Sequence, residues 1–108
     1  NHHKLNNLIV IIDRNRIQSL KDTEETLRLE PFKDKWEAFG WKVHELDGHN
    51  HLYLLAAINE TCDGPKVIIA KTTKGSGVSF MENSVLWHYR SPNSTELDSA
   101  IDEVLAEK

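Results

Sequence analysis

The chain is poor in cysteine, in excess positive charge and in long apolar runs. Cys62 is its one cysteine among 108 residues, which rules out an internal disulfide and a thiolate zinc cluster. Thirteen basic side chains against seventeen acidic ones give a formal charge of −4, the wrong balance for a nucleic-acid-binding surface. The longest apolar run, Leu8 to Ile12, falls far short of a membrane span. No secretory signal pattern opens the chain, so a cytoplasmic location is expected. Repeats and low-complexity segments are absent as well. With 39% hydrophobic residues, what is left is a globular chain of about one domain. The opening "NHHKLNNLIV" enters a strand almost at once, which reads as a start in the middle of a larger fold.

Leu8 to Asp13 is rich in isoleucine and valine, the composition of a strand buried on both faces of a parallel sheet. Residues 14–30 form a long polar connection. Pro31 opens a helix with Phe32, Trp36 and Phe39 on one face, and Gly40 stops it. "WKVHEL" is a second strand. In the turn "DGHN", Asp47 or Asn50 caps a helix that should bury Leu52, Leu55, Ala56 and Ile58. "KVIIAK" is a third strand, followed by a long loop over 72–92. Asn93 and Glu96 form a capping box for a last helix with an apolar stripe of Leu97, Ile101, Val104 and Leu105.

Strands alternate with helices, which predicts an α/β fold: a three-layer arrangement of a parallel sheet with flanking helices. In such sheets every strand ends on one edge, where ligands bind. The connections beginning "RNRIQ", "DGHN" and "TTKGSG" should therefore open to the same side. The two long ones exceed the usual loop length, a common mark of function.

Asn15 offers a neutral amide oxygen just past the first strand, and Ile17 can offer its backbone carbonyl. Both suit magnesium when a diphosphate supplies the negative charge. By spacing alone, Asn15 reads first as an ordinary turn former, and only second as a metal ligand. Gly75 and Gly77 permit close backbone approach around Lys74. His88 in "WHYRSP" can donate to phosphate or carry protons near neutral pH. The other histidines carry less. His2 and His3 lie at the terminus, His49 and His51 lack a third ligand, and His44 is expected to face a polar neighbour. Trp36, Phe39 and Trp41 are expected in the core, and Cys62 reads as structural.

"LNNLIVIIDRNRIQ", "WEAFGW", "DGH", "TTKGSGVSFMEN" and "WHYRSP", in that order, resemble the transketolase family. The resemblance is closest to the amino-terminal subunits of split transketolases. It implies that residues 1–108 are the carboxyl-terminal part of the thiamin-diphosphate-binding domain, a fragment of that fold. It implies thiamin diphosphate and Mg2+ as cofactors, with Asn15 (side chain) and Ile17 (carbonyl) as metal ligands. Lys74 and His88 would lie near the diphosphate, His88 also near the reacting end of the substrate. The implied reaction moves a two-carbon ketol unit between sugar phosphates.

The family motif begins with Gly-Asp-Gly, which this chain lacks together with the acidic metal ligand of that half. Its ending corresponds to Asn6-Asn7 or to the "DRN" after the strand. Asp13 matches a different family position and is not expected to bind metal directly. Tyr89 and Arg90 depart from the family's small-then-basic pair; Arg90 reads as a sugar-phosphate contact or as a solvated arginine. The activating glutamate belongs to another domain. Activity is therefore expected only with complementary polypeptides or a longer chain, in a homo-oligomer rather than a lone monomer. Loss of neighbouring strands should leave an apolar sheet edge exposed. The alternative is a non-catalytic α/β assembly module or truncated fragment without cofactor affinity. The decisive expectation is that the segments at positions 15 and 75 emerge side by side and frame a magnesium-bridged pyrophosphate.

Overall fold

The computed structural model describes residues 1–106. Two compact units are present: residues 1–15 with 28–72, and residues 16–27 with 73 onwards.

The first unit holds three strands, β1 (Ile9–Arg14), β2 (Lys42–Asp47) and β3 (Lys66–Lys71). All pair in parallel in the order β1-β3-β2, so the sheet matches the expected class. The chain crosses from β1 to β2 in one sense and returns to β3 in the other. Right-handed crossovers then set α2 (Phe32–Ala38) and α3 (His51–Asn59) on opposite faces.

The central strand is the last of the three in sequence. Val67, Ile68, Ile69 and Ala70 of β3 are buried on both faces. Each fully buried aliphatic side chain contributes roughly 1.5–3 kcal/mol relative to exposure. Burial of β1 on both faces was the expectation, and the structure corrects it. As an edge strand β1 has one neighbour, and Ile11 is 55% exposed.

Further corrections concern helix faces. In α3 the buried residue is Ala57, while Leu52, Leu55, Ala56 and Ile58 are exposed. This helix is apolar nearly all round, so periodicity cannot say which side meets the sheet. Small Ala57 permits the closest approach. Phe39 is 74% exposed and outside the core, beyond the end of a seven-residue helix. Trp36 and Trp41 are half-buried and meet edge to face at 5.0 Å, which holds α2 to the start of β2.

Two buried cations organise this unit. Lys66, 3% exposed, donates to the carbonyls of Ala57 (2.8 Å), Ile58 (2.6 Å) and Glu60 (2.5 Å). An ammonium here satisfies carbonyls that a helix end leaves without partners and opposes the negative end of its dipole. Arg14, 6% exposed, donates to Glu30 Oε1 at 2.9 Å and sits 5.7 Å from the Phe32 ring centre. His44 has the polar neighbour expected of it, with Nε2 3.2 Å from Glu60 Oε2.

The second unit contains the short helix α1 (Thr23–Thr26), a 3-10 turn (Val85–His88) and α4 (Ser94–Ala106). The connection expected to be merely polar thus carries a hairpin, bridged at Ile17 and Asp22, and one helical turn. Asn93 and Glu96 form the expected capping box, with N–H···O distances of 2.8 and 2.9 Å. The stripe of α4 is a correction: Leu97, Ile101, Val104 and Leu105 are exposed, and Ala100 is the buried residue. No helix among the described residues is long and apolar enough to cross a membrane.

Candidate functional site

The carboxyl edge of the sheet comes from register. Arg14 of β1 and Asp47 of β2 both stand opposite Lys71 of β3. Asn15 and Thr72 therefore leave neighbouring strands side by side.

Asp13 brackets these two exits. Its Oδ1 accepts from Thr72 Oγ1, and its Oδ2 accepts from Asn15 Nδ2 at 3.3 Å. The second bond turns the nitrogen end of the Asn15 amide towards Asp13, which places Oδ1 at the other end. Both carboxylate oxygens of Asp13 thus accept hydrogen bonds from side chains at the strand ends.

The "DGHN" turn closes on the same edge. Gly48 N–H donates to Lys71 O at 2.7 Å. A Cβ at Gly48 would lie 2.5 Å from Thr72 Cγ2, so only glycine allows this approach. Asp47 Oδ1 accepts from His49 N–H at 2.9 Å. Asn50 Oδ1 accepts from Leu52 N–H at 3.0 Å and Tyr53 N–H at 3.1 Å, which makes Asn50 the cap of α3.

Ile17, Lys74 and His88 belong to the second unit. Arg16 adopts φ +64°, which turns the chain into the hairpin. Its closing bonds use the carbonyls of Arg16 and Lys21, which accept from Thr23 and Gln18 N–H. Lys74 is half-buried and has no ion-pair partner among the described residues. Its backbone is fixed, since Asn83 N–H donates to Lys74 O at 2.9 Å. Gly75 takes φ +75°, and a Cβ there would meet Met81 O at 2.6 Å. The glycine-bearing segment is a closed turn, with Lys74 at its base.

His88 ends the 3-10 turn, exposed, with Nε2 3.2 Å from Ser19 Oγ. Its ring meets Tyr89 edge-on at 4.9 Å, and Tyr89 OH donates to Ser19 O at 2.8 Å. Arg90 is engaged within its own unit: it pairs with Glu96 and lies 4.8 Å from the Trp87 ring centre. Ser19 escaped the sequence reading because 69 residues separate it from His88.

Nothing in either unit resembles a preformed carboxylate or imidazole metal cage. No group of three or more His, Cys, Asp or Glu side chains suited to a metal occurs among the described residues. A neutral side-chain amide such as that of Asn15 suits a hard cation where other groups supply the remaining oxygens and the negative charge.

The family model for the transketolase thiamine diphosphate binding domain matches residues 1–100. The chain is 42% identical over 107 residues to one subunit of the apulose-4-phosphate transketolase of Phocaeicola vulgatus, covering 96% of this chain and 38% of that protein. It is 40% identical over 88 residues to the 6-deoxy-6-sulfo-D-fructose transketolase subunit SqwG of a Clostridium species, covering 79% and 32%. Among solved structures it superposes on transketolase from Campylobacter jejuni with a TM-score of 0.70 at 25% identity, over 98% of this chain and 21% of that one. The chain thus spans less than two-fifths of these relatives, and its parallel sheet with flanking helices is a portion of the thiamin-diphosphate-binding fold. The alternative reading, a non-catalytic α/β assembly module or truncated fragment without cofactor affinity, is not favoured. On its sequence and its fold together, this chain belongs to the transketolase family, within the thiamine diphosphate binding domain.

Proposed function

We propose that this chain anchors the cofactor diphosphate in a transketolase of the split type. Residues 1–108 form the carboxyl-terminal part of the diphosphate-binding domain. The relatives named as single subunits of a transketolase support a complementary polypeptide as partner. In the assembled, cytoplasmic oligomer of this chain with its complementary polypeptide, two-carbon ketol units pass between sugar phosphates. When bound, thiamin diphosphate supplies the carbon nucleophile for that chemistry. The chain's own residues bind and orient. Asn15 Oδ1 and the Ile17 carbonyl hold Mg2+, Lys74 places positive charge towards the diphosphate, and His88 donates to phosphate near the substrate.

One observation carries this reading: the Asp13–Asn15–Thr72 bracket, which holds an amide by its nitrogen at the carboxyl edge of a parallel sheet. The test is calorimetric titration of thiamin diphosphate into the chain combined with its complementary polypeptides, with and without magnesium. Magnesium-dependent binding, weakened about tenfold or more by Asn15→Ala, is expected from the loss of a direct ligand. Unchanged magnesium dependence in Asn15→Ala would remove the assignment.

A further inference from the structure

The segment 85–90 is fastened at every residue from 87 to 90, in two different ways. Trp87 and Arg90 are tied to their own surroundings. Trp87 Nε1–H donates to Phe80 O at 2.9 Å, its ring lies 5.3 Å from Phe80, and Arg90 spans Trp87 and Glu96. His88 and Tyr89 instead both reach one residue of the 16–22 hairpin. His88 Nε2 meets the Ser19 hydroxyl at 3.2 Å, and Tyr89 OH donates to the Ser19 carbonyl at 2.8 Å.

Ser19 has a firm base. The hairpin is closed on both sides by the Gln18–Lys21 (3.0 Å) and Thr23–Arg16 (2.8 Å) backbone bonds. Asp22 Oδ1 accepts from Glu24 N–H at 2.7 Å and so ties the hairpin to α1. A serine at the tip of a braced hairpin, gripped by its carbonyl, offers its hydroxyl in a nearly fixed place.

We propose that Ser19 is the positioning residue for His88: it engages Nε2 and leaves Nδ1 as the atom presented to a phosphate-bearing ligand. This rests on the reading of His88 as a phosphate-facing residue. A neutral imidazole has one donor and one acceptor nitrogen. When the Ser19 hydroxyl donates to Nε2, the proton of the ring must sit on Nδ1. Nδ1–H then donates to a phosphate oxygen, which has only acceptors. The opposite arrangement, with Nε2–H donating to Ser19, would aim a lone pair at the phosphate. Tyr89 has a defined part as well. It braces the Ser19 carbonyl from beside His88, a role that a small residue at position 89 could not fill.

The pairing is tested by two-bond 1H–15N correlation of the imidazoles in the full chain, at a pH where His88 is neutral and with His88→Gln to assign its signals. The native chain is expected to show His88 mainly as the Nδ1–H tautomer. Ser19→Ala should return it to the Nε2–H-rich mixture of free imidazole, and Ser19→Thr, which keeps the hydroxyl, should restore the native spectrum. Tyr89→Phe should fall between. An identical His88 tautomer in the native chain and Ser19→Ala overturns the proposal. This readout needs no cofactor, so it stands or falls separately from the proposed function. The second measurement uses thiamin diphosphate with magnesium chloride and the assembled protein. Ser19→Ala should weaken binding about threefold to tenfold, the scale of one hydrogen bond, and Ser19→Thr should not. A tautomer change without loss of affinity would uphold the pairing and overturn the ligand-facing part.

Discussion

The two compact units are stabilised by different means, and the contrast explains why one was easier to foresee. In the first, burial is concentrated in one strand: β3 lies between two parallel neighbours, and Val67, Ile68 and Ile69 are almost wholly shielded from water. In the second, the buried hydrophobic residue among the described residues is Ala100, and order comes from caps, closed turns and side-chain bonds to backbone. Apolar burial resists local opening because many contacts must break together. Turns and caps open singly, at a low free-energy cost, and residues that must move around a ligand are drawn from such regions.

The sharpest way to break the contrast is to hollow out β3. Ile68→Ala should cost about 3–4 kcal/mol, the usual effect of deleting a buried branched side chain. Urea unfolding of the variant chain measures it. A loss below about 1 kcal/mol would mean that β3 is not the dominant core of the first unit. A smaller effect is expected in the second unit from Asn93→Ala, which removes the cap from Glu96 N–H and should cost about 1 kcal/mol. Hydrogen exchange should show faster exchange confined to the first turn of α4, with the amides of β3 unchanged. Loss of protection in both places would show that the units do not open separately.

The smallest effect concerns pH. The Lys42 ammonium bonded to Glu60 holds the Glu60 carboxyl below its ordinary range, with His44 and Lys66 adding to the effect and partial burial opposing it. A carboxyl held lower in the folded state than in the unfolded one stabilises the fold above its unfolded value. That contribution disappears as pH falls through the folded value. Glu60→Gln should therefore lower stability slightly at neutral pH, where that contribution is present, and flatten the acid limb so that the two proteins converge at low pH. Thermal melts between about pH 3 and 7 read this out, and parallel acid limbs in the two proteins would contradict it.

Legibility in the sequence followed the same division. The parallel class, the order of elements, the shared edge for the strand ends and the Asn93–Glu96 box could all be read from local pattern. Helix faces could not. In α3 and α4 the exposed residues are the large ones expected inside, and the buried ones are Ala57 and Ala100. Periodicity marks an apolar face, but proximity between backbones selects a small residue within it. The central place of "KVIIAK" was equally hidden, since strand order is set by crossovers and not by composition. At the candidate site, Asn15, Ile17, Lys74 and His88 stood out by residue type or by resemblance. The Asp13–Thr72 contact and the Ser19–His88 contact join residues 59 and 69 positions apart, beyond the reach of any local signal.

Sequence alone determined that alternating strand and helix patterns would make a parallel sheet, because parallel strands need crossovers and crossovers need helices. It also determined which chemically able side chains follow the strand ends. Tertiary structure decided what those side chains touch: which end of the Asn15 amide is held, which imidazole nitrogen meets a hydroxyl, and which carbonyls Lys66 satisfies. Contacts of that kind depend on distances between segments remote in the chain, and those distances exist only once register and packing have fixed the backbone.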